Sequence, residues 1–334
     1  MKSIIIISLL FFNAVAWATE PINKGIVLFN QQHYSQAEQV LQQESDNGSA
    51  HATFWLAITQ YKNGQHFDAG NTFLKAAQMG DPWAMGVMGG GKLYVNTPCS
   101  YLGWPCDEKW LPKAQQGWEK LAQDGDGKAA FALKITKREW WEYIPFYRQT
   151  KYKQLVSNAI PNGGYQFLDY NTYWESFEDK LPYLRLAANQ GHAPAMVSLY
   201  YYLLDPENVG EATKWINKAI DLGYAKAART LYYSYSQGEK DSSGKVLIQP
   251  DPKKAYYYNR LSGALGGEEK EGRQIAEVPV NDKDGFPIAD ADGRPVFKIL
   301  VTKEEQAELN KQVEERVKDI KPNMFLDETS LELF

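Results

Sequence analysis

Two cysteines, four histidines and a short glycine run are the residues of this 334-residue chain whose types could do chemistry. Cys99 and Cys106 bound the stretch C-S-Y-L-G-W-P-C, where Gly103 and Pro105 dictate a loop rather than a helix. In an oxidising compartment so close a lone pair is expected to form a disulfide. Closing so short a loop contributes roughly 2–3 kcal/mol by chain entropy. A redox or metal role would want C-x-x-C spacing or nearby His ligands, and the sequence has neither. Residues 86–93, G-V-M-G-G-G-K-L, approach a phosphate-binding loop, but Leu93 stands where Mg²⁺ needs a Ser/Thr hydroxyl, and no strand precedes it. These glycines suit close helix packing or an interrupted helix instead. His33, His51, His66 and His192 fall in or beside turns, none with a second His at metal-ligand spacing. The carboxylate pairs Glu268/Glu269 and Glu304/Glu305 read as solvated helix surface. Asp290 to Gly293 reads as a plain turn, without the spacing or terminal Glu of a calcium loop. No G-x-S-x-G elbow or H-E-x-x-H occurs. The expectation is a protein that is not an enzyme, with no catalytic residue, cofactor or metal.

The first residues carry an address. Lys2 is a short positive n-region, Ile4 to Phe12 are apolar but for Ser8, and Ala16-Trp17-Ala18 is a small-x-small cleavage site. The mature chain is expected to begin at Thr19, in the periplasm. The apolar run is shorter than the roughly 20 residues of a membrane span, and no cysteine follows the cleavage site to take a lipid. An uncleaved anchor is the alternative. The net charge of −5 speaks against nucleic acid or anionic membrane as main partner.

The elements that must position any site are repeated. Gly, three residues, Ala, three residues, Leu or Met recurs as Gly48-Ala52-Leu56, Gly80-Ala84-Met88, Gly125-Ala129-Leu133, Gly191-Ala195-Leu199 and Gly223-Ala227-Leu231. An alanine lies eleven residues before the glycine at Ala37, Ala69, Ala114, Ala212 and Ala255, the last ahead of Gly266; Lys180 holds that place before Gly191. Ala and Leu four apart share a helical face, and Gly ends the preceding helix in the left-handed conformation. Each unit therefore predicts an antiparallel helix pair that cannot bury its own apolar face, so neighbours must stack. Glycine spacings of 32, 45, 66 and 32 residues imply a base period of 32 with insertions over 97–110, 134–173 and, as a smaller loop, 238–250.

"YLRLAANQGHAPAMVSLYYYL" and "ATKWINKAIDLGYAKAARTLYYSYSQG" resemble Sel-one-like repeats, relatives of the tetratricopeptide repeat, and the resemblance covers about residues 22–267. It implies an all-α, right-handed α-solenoid and an interaction scaffold. A cysteine-rich branch of the family staples helix pairs, which the single pair Cys99/Cys106 resembles. Three functions are implied by resemblance and address together. The first is a periplasmic scaffold that neutralises a protein partner by occlusion, in its specific form an immunity protein against a phospholipase-like toxin of type VI secretion. The second is an envelope adaptor for assembly or stress signalling. The third is a binder or hydrolase of cell-wall fragments or β-lactams.

Beyond the repeats, "VPVNDKDGFPIADADGRPVFKILV" predicts a small β-hairpin. Thr302 to Glu305 form a capping box ahead of Leu309, Val313, Val317 and Ile320 on one helical face, ended by Pro322. The domains expected are a signal peptide (1–18), the solenoid (19–267), and a C-terminal hairpin with capping helix (268–334).

Aromatics are abundant, with ten Trp, 21 Tyr and 14 Phe. Tyr200, Tyr201, Tyr232 and Tyr233 occupy equivalent places on neighbouring helices. With residues about 100° apart, and with Ala195 and Ala227 inward, they should point away from the core. They are either stacked between adjacent helices or a concave binding face, since Tyr and Trp are favoured interface anchors. The 134–173 insertion adds Trp140, Trp141, Tyr147 and Arg148. So aromatic a segment should be ordered, packed on the solenoid or presenting a protein-binding surface. These eight residues are the candidate partner contacts.

Overall fold

The computed structural model describes residues 13–90, 93, 98–170 and 173–334, so the apolar core of the expected leader lies outside the described residues. The chain divides into two compact units, one comprising Met1–Phe177 with Leu326–Phe334 and the other Glu178–Phe325.

Unit 1 is a run of antiparallel helices: α1 (Asn13–Asn30), α2 (Tyr34–Asp46), α3 (Ala50–Lys62), α4 (His66–Gln78), α5 (Pro82–Met88), α6 (Trp110–Gln123), α7 (Gly127–Thr136) and α8 (Pro145–Ala159). From α1 to α8 each helix packs on its successor. Unit 2 repeats the plan with α9 (Phe177–Asn189), α10 (Ala193–Tyr202), α11 (Val209–Asp221), α12 (Ala225–Gln237) and α13 (Pro252–Ala264). It ends with α14 (Gly272–Ala276) and α15 (Lys303–Val317). Each unit by itself is thus an all-α stack of helix pairs, as the repeat predicts.

The recurrent glycines behave as the spacing requires. Gly48, Gly80, Gly125, Gly191, Gly223 and Gly266 all have positive φ, between 78° and 101°. At Gly223 a side chain would also meet the Lys321 carbonyl oxygen. The alanines eleven residues ahead are buried, as are Ala52, Ala84, Ala129, Ala195 and Ala227. Lys180, standing in for one of them, is buried too, with its ammonium over the Tyr202 ring. The glycines of the near phosphate-loop motif serve packing. A Cβ at Gly86 would sit 2.6 Å from the Trp118 ring, and Gly89 closes on the backbone of Leu111.

Two short antiparallel pairs interrupt unit 2. β1 (Glu239–Lys240) pairs with β2 (Val246–Ile248) inside the third insertion, where the sequence predicted only a loop. β3 (Glu277–Pro279) pairs with β4 (Phe297–Ile299) as the predicted hairpin. The Thr302/Glu305 capping box forms at the start of α15, which packs on α13 and buries Val313. Cys99 and Cys106 are joined, with their Cα atoms 5.8 Å apart.

Candidate functional site

The sequence-predicted aromatic positions separate into buried and exposed sets. Tyr200 is fully buried and its hydroxyl meets Ser234 Oγ of α12 at 2.8 Å. Tyr232 is buried beside Tyr256, Ile275 and Val301. The expectation that both point away from the core is corrected here. An inner helix of a stack has neighbours on both flanks, so its buried arc extends to either side of the alanine and takes in these rings. Tyr201 and Tyr233 keep the outward position, 55% and 37% exposed. Arg229 donates to the Tyr233 hydroxyl and ion-pairs with Glu268, so this edge is polar as well as aromatic.

The described residues of the 134–173 insertion form a chain of short helical elements. A 3₁₀ turn, Trp140–Tyr143, leads into α8, whose Pro145 fits the first helical turn. Its inner side is pinned by a polar knot. Lys134 Nζ lies 2.9 Å from Glu142 Oε2, the Tyr152 hydroxyl donates to the same oxygen, and Glu139 N–H donates to Oε1. Burial opposes charge on Glu142, but these donors outweigh it and hold the carboxyl below its usual range. Trp141 is half-buried with its ring edge-on to Tyr152. The outer side is a different surface: Trp140, Tyr143 and Phe146 are 66%, 70% and 84% exposed. Tyr147 stacks on Trp140 at 5.8 Å and has the Lys151 ammonium over its ring, while Arg148 is exposed.

A second constellation was not anticipated from sequence. Residues 326–334, L-D-E-T-S-L-E-L-F, lie along the helices of unit 1. The Asn30 amide pairs with the Leu326 main chain, accepting from its N–H at 2.7 Å and donating to its carbonyl at 3.1 Å. An Asx-type turn follows, in which Asp327 accepts from Thr329 N and Oγ1. It presents the buried Glu328 to three donors. Trp55 Nε1 and His51 Nε2 reach Oε1 at 3.2 and 3.1 Å, and Lys128 Nζ reaches Oε2 at 2.5 Å. His51 Nδ1 is 3.2 Å from Asp81 Oδ2, while Asp81 Oδ1 caps α5 through Ala84 N–H. Further along, Lys62 donates to the Glu332 carbonyl, and the Phe334 ring meets Tyr61 at 5.4 Å and Phe73 at 5.9 Å.

The charges in this knot are fixed by one another. Burial disfavours the His51 imidazolium, but the Asp81 and Glu328 carboxylates outweigh it and push its pKa up to about 9. Burial likewise opposes charge on Glu328, yet His51 and Lys128 hold its carboxyl well below the usual range. Asp327 is pushed up, first by burial and then by the adjacent Glu328. The one sequence signal for this segment is its composition. Leu331, Leu333 and Phe334 interleaved with acids are not what a solvated stretch carries.

Among the described residues no group of His, Cys, Asp and Glu could hold a metal ion. No family model matches the chain, and no curated relative does. Solved structures resemble it in fold. One is a protective antigen of uropathogenic Escherichia coli strains displaying an SLR fold, with TM-score 0.41 and 16% identity over 90% of this chain. The chain spans 61% of that protein's length. Another is a Sel1 repeat protein from Oxalobacter formigenes, with TM-score 0.35 and 17% identity over 78% of this chain and 80% of the other. A third, assigned to the Sel1 repeat proteins of Klebsiella pneumoniae subsp. pneumoniae, has TM-score 0.29 and 20% identity over 69% of this chain and 93% of its own.

Proposed function

We propose that this chain is an exported scaffold that binds one protein partner and acts by occlusion. The observation that carries the reading is the outer face of the 134–173 insertion. Three large aromatics there are mostly exposed while the same segment is locked from beneath by Lys134, Glu142 and Tyr152. Ordered, exposed aromatic clusters are costly to leave in water and are where interface energy concentrates. The partner's finer identity, a phospholipase-like type VI toxin neutralised in the periplasm, rests on the repeat resemblance and the leader-like first residues.

The test is direct. A partner captured from periplasm and then purified should bind the Trp140→Ala/Tyr147→Ala variant about tenfold more weakly than wild type, the loss expected of interface anchors, at unchanged melting temperature. Equal affinity for both proteins would remove the insertion from the interface. For the finer reading, deletion of the gene should sensitise cells to a toxin-delivering neighbour; undiminished survival would discard immunity and leave the scaffold standing.

A further inference from the structure

The 326–334 segment is held the way a bound peptide is held. It adds no helix to the repeat, apart from a single 3₁₀ turn at Leu331–Leu333. Its partners lie 200 to 296 residues away in sequence. A side-chain amide, Asn30, reads its main chain through both a donor and an acceptor. Its buried carboxylate, Glu328, is met by a cation and an imidazolium, and the Phe334 ring enters an aromatic cradle.

The groove beneath has its own character. Lys62, His51 and Lys128 line it, with Trp55, Tyr61 and Phe73 as apolar floor. Its acids are already engaged. Asp81 and Asp126 accept helix N-terminal N–H groups, and Asp81 also faces His51. The wall is therefore complementary to an acidic peptide with apolar residues following.

We propose that this unit 1 groove is a peptide-recognition site for a partner protein segment of the pattern Asp-Glu-x-x-x-x-Leu-Phe, and that residues 326–334 are its resident occupant in cis. Asp327-Glu328 supply the acidic pair and Leu333-Phe334 the apolar end. A partner segment must displace the resident one, which competes as a tethered ligand at an effective concentration on the order of millimolar. The site is separate from the exposed face of the 134–173 insertion, and it stands or falls without it.

The probe is a fluorescent peptide of sequence LDETSLELF. Wild-type protein should bind it weakly. The full-length Glu328→Ala/Phe334→Ala variant, whose own segment has lost both anchors, should bind it about tenfold more tightly. Adding Lys128→Ala to that variant should abolish the gain. Equal binding by wild type and double variant, or none by either while both remain helical, overturns the proposal. A second measurement needs no variant. Saturating unlabelled peptide should accelerate hydrogen exchange at the Leu326 amide of wild-type protein, as the resident segment is expelled; unchanged exchange means a structural strap, not a ligand. Concentration-dependent dimers of wild type that the double variant loses would assign the groove to a second copy's segment and overturn it equally.

Discussion

The two units use one repeat and finish it differently. In unit 1 the residue after each recurrent glycine is Ser49, Asp81 or Asp126, and each side chain accepts a hydrogen bond from the helix it precedes. In unit 2 the recurrent glycines that lead straight into a helix, Gly191 and Gly223, are followed by His192 and Tyr224, neither of which caps by its side chain. There the ring of Phe325 stands edge-on to both, 6.4 Å from His192 and 5.7 Å from Tyr224. The main chain beside it is tied by Asn323 N–H to the Gly223 carbonyl. The backbone turn is common to both units, but one line of turns is polar and charged and the other aromatic and apolar. A repeat fixes the turn through glycine and leaves the adjacent position free to decide what the turn line can hold.

The largest effect should come from removing the cation of the polar line. Lys128→Met leaves Glu328 desolvated with His51 and Trp55 alone. Breaking a buried pair from one side typically costs about 3 kcal/mol or more, and the partial exposure of Lys128 puts this site toward about 2–3 kcal/mol. Denaturant unfolding measures it. A loss below about 0.5 kcal/mol, the ordinary scatter of surface substitutions, would show that the charged line contributes nothing that the apolar one lacks.

Titration separates the two turn histidines by sign. His51 is raised from 6.5 to about 9, so its contribution is complete below about 6.5 and is lost as pH rises through about 9. Glu328 is depressed, so its contribution is present above about 4.5 and is lost as pH falls well below that. Around His51 the charged groups are Asp81, Glu328 and, through Glu328, Lys128 and Asp327. His192 runs the other way. Burial lowers it to about 4, so stability is present above about 6.5 and lost as pH falls toward about 4. Hydrogen exchange, corrected for its intrinsic pH dependence, should show α3 loosening on the alkaline side and α10 on the acid side. His192→Phe should remove the acid-side loosening of α10 and leave α3 alone. Parallel behaviour of the two helices would erase the distinction between the lines.

How much of this was legible follows from how local each signal is. The glycine turns, the buried alanines and the capping box of α15 depend on contacts within a few residues, and spacing alone places them. The Cys99–Cys106 link is as local. Tyr200 and Tyr232 take the alternative stacked between adjacent helices, which a single-helix wheel with one inward direction does not select, because a stacked helix has two covered flanks. The knot at Glu328 joins residues 200 and more positions apart, and no periodicity marks it. His51 alone resembles any turn histidine until Asp81 and Glu328 are brought to its two nitrogens. The caps are intermediate: Ser49, Asp81 and Asp126 are favoured N-cap types, and Asp126→Ala should cost about 1 kcal/mol by thermal unfolding. An equal loss from His192→Ala would mean that capping is not what distinguishes the turn lines.

The smallest effect tests the same contrast between covered and open positions inside unit 2. Tyr200 and Tyr201 are neighbours on α10, one enclosed and one 55% exposed. The Tyr200 hydroxyl lies 2.8 Å from Ser234 Oγ, which in turn donates to Glu239 Oε1 at 2.8 Å. Tyr200→Phe removes one member of a buried chain of hydrogen bonds, a net loss of about 1 kcal/mol. Ser234 keeps Glu239, so no group is stranded and the loss should not exceed that. The Tyr201 hydroxyl approaches Thr230 Oγ1 only at 3.5 Å, the outer limit of a hydrogen bond. Tyr201→Phe should therefore leave stability within about 0.5 kcal/mol of wild type, as surface changes do. The two variants differ by a single oxygen each on adjacent residues, so propensity and ring packing cancel between them. If they melt alike, the hydroxyl of Tyr200 is not a structural bond. The arc of α10 covered by its neighbours would then be narrower than its burial indicates.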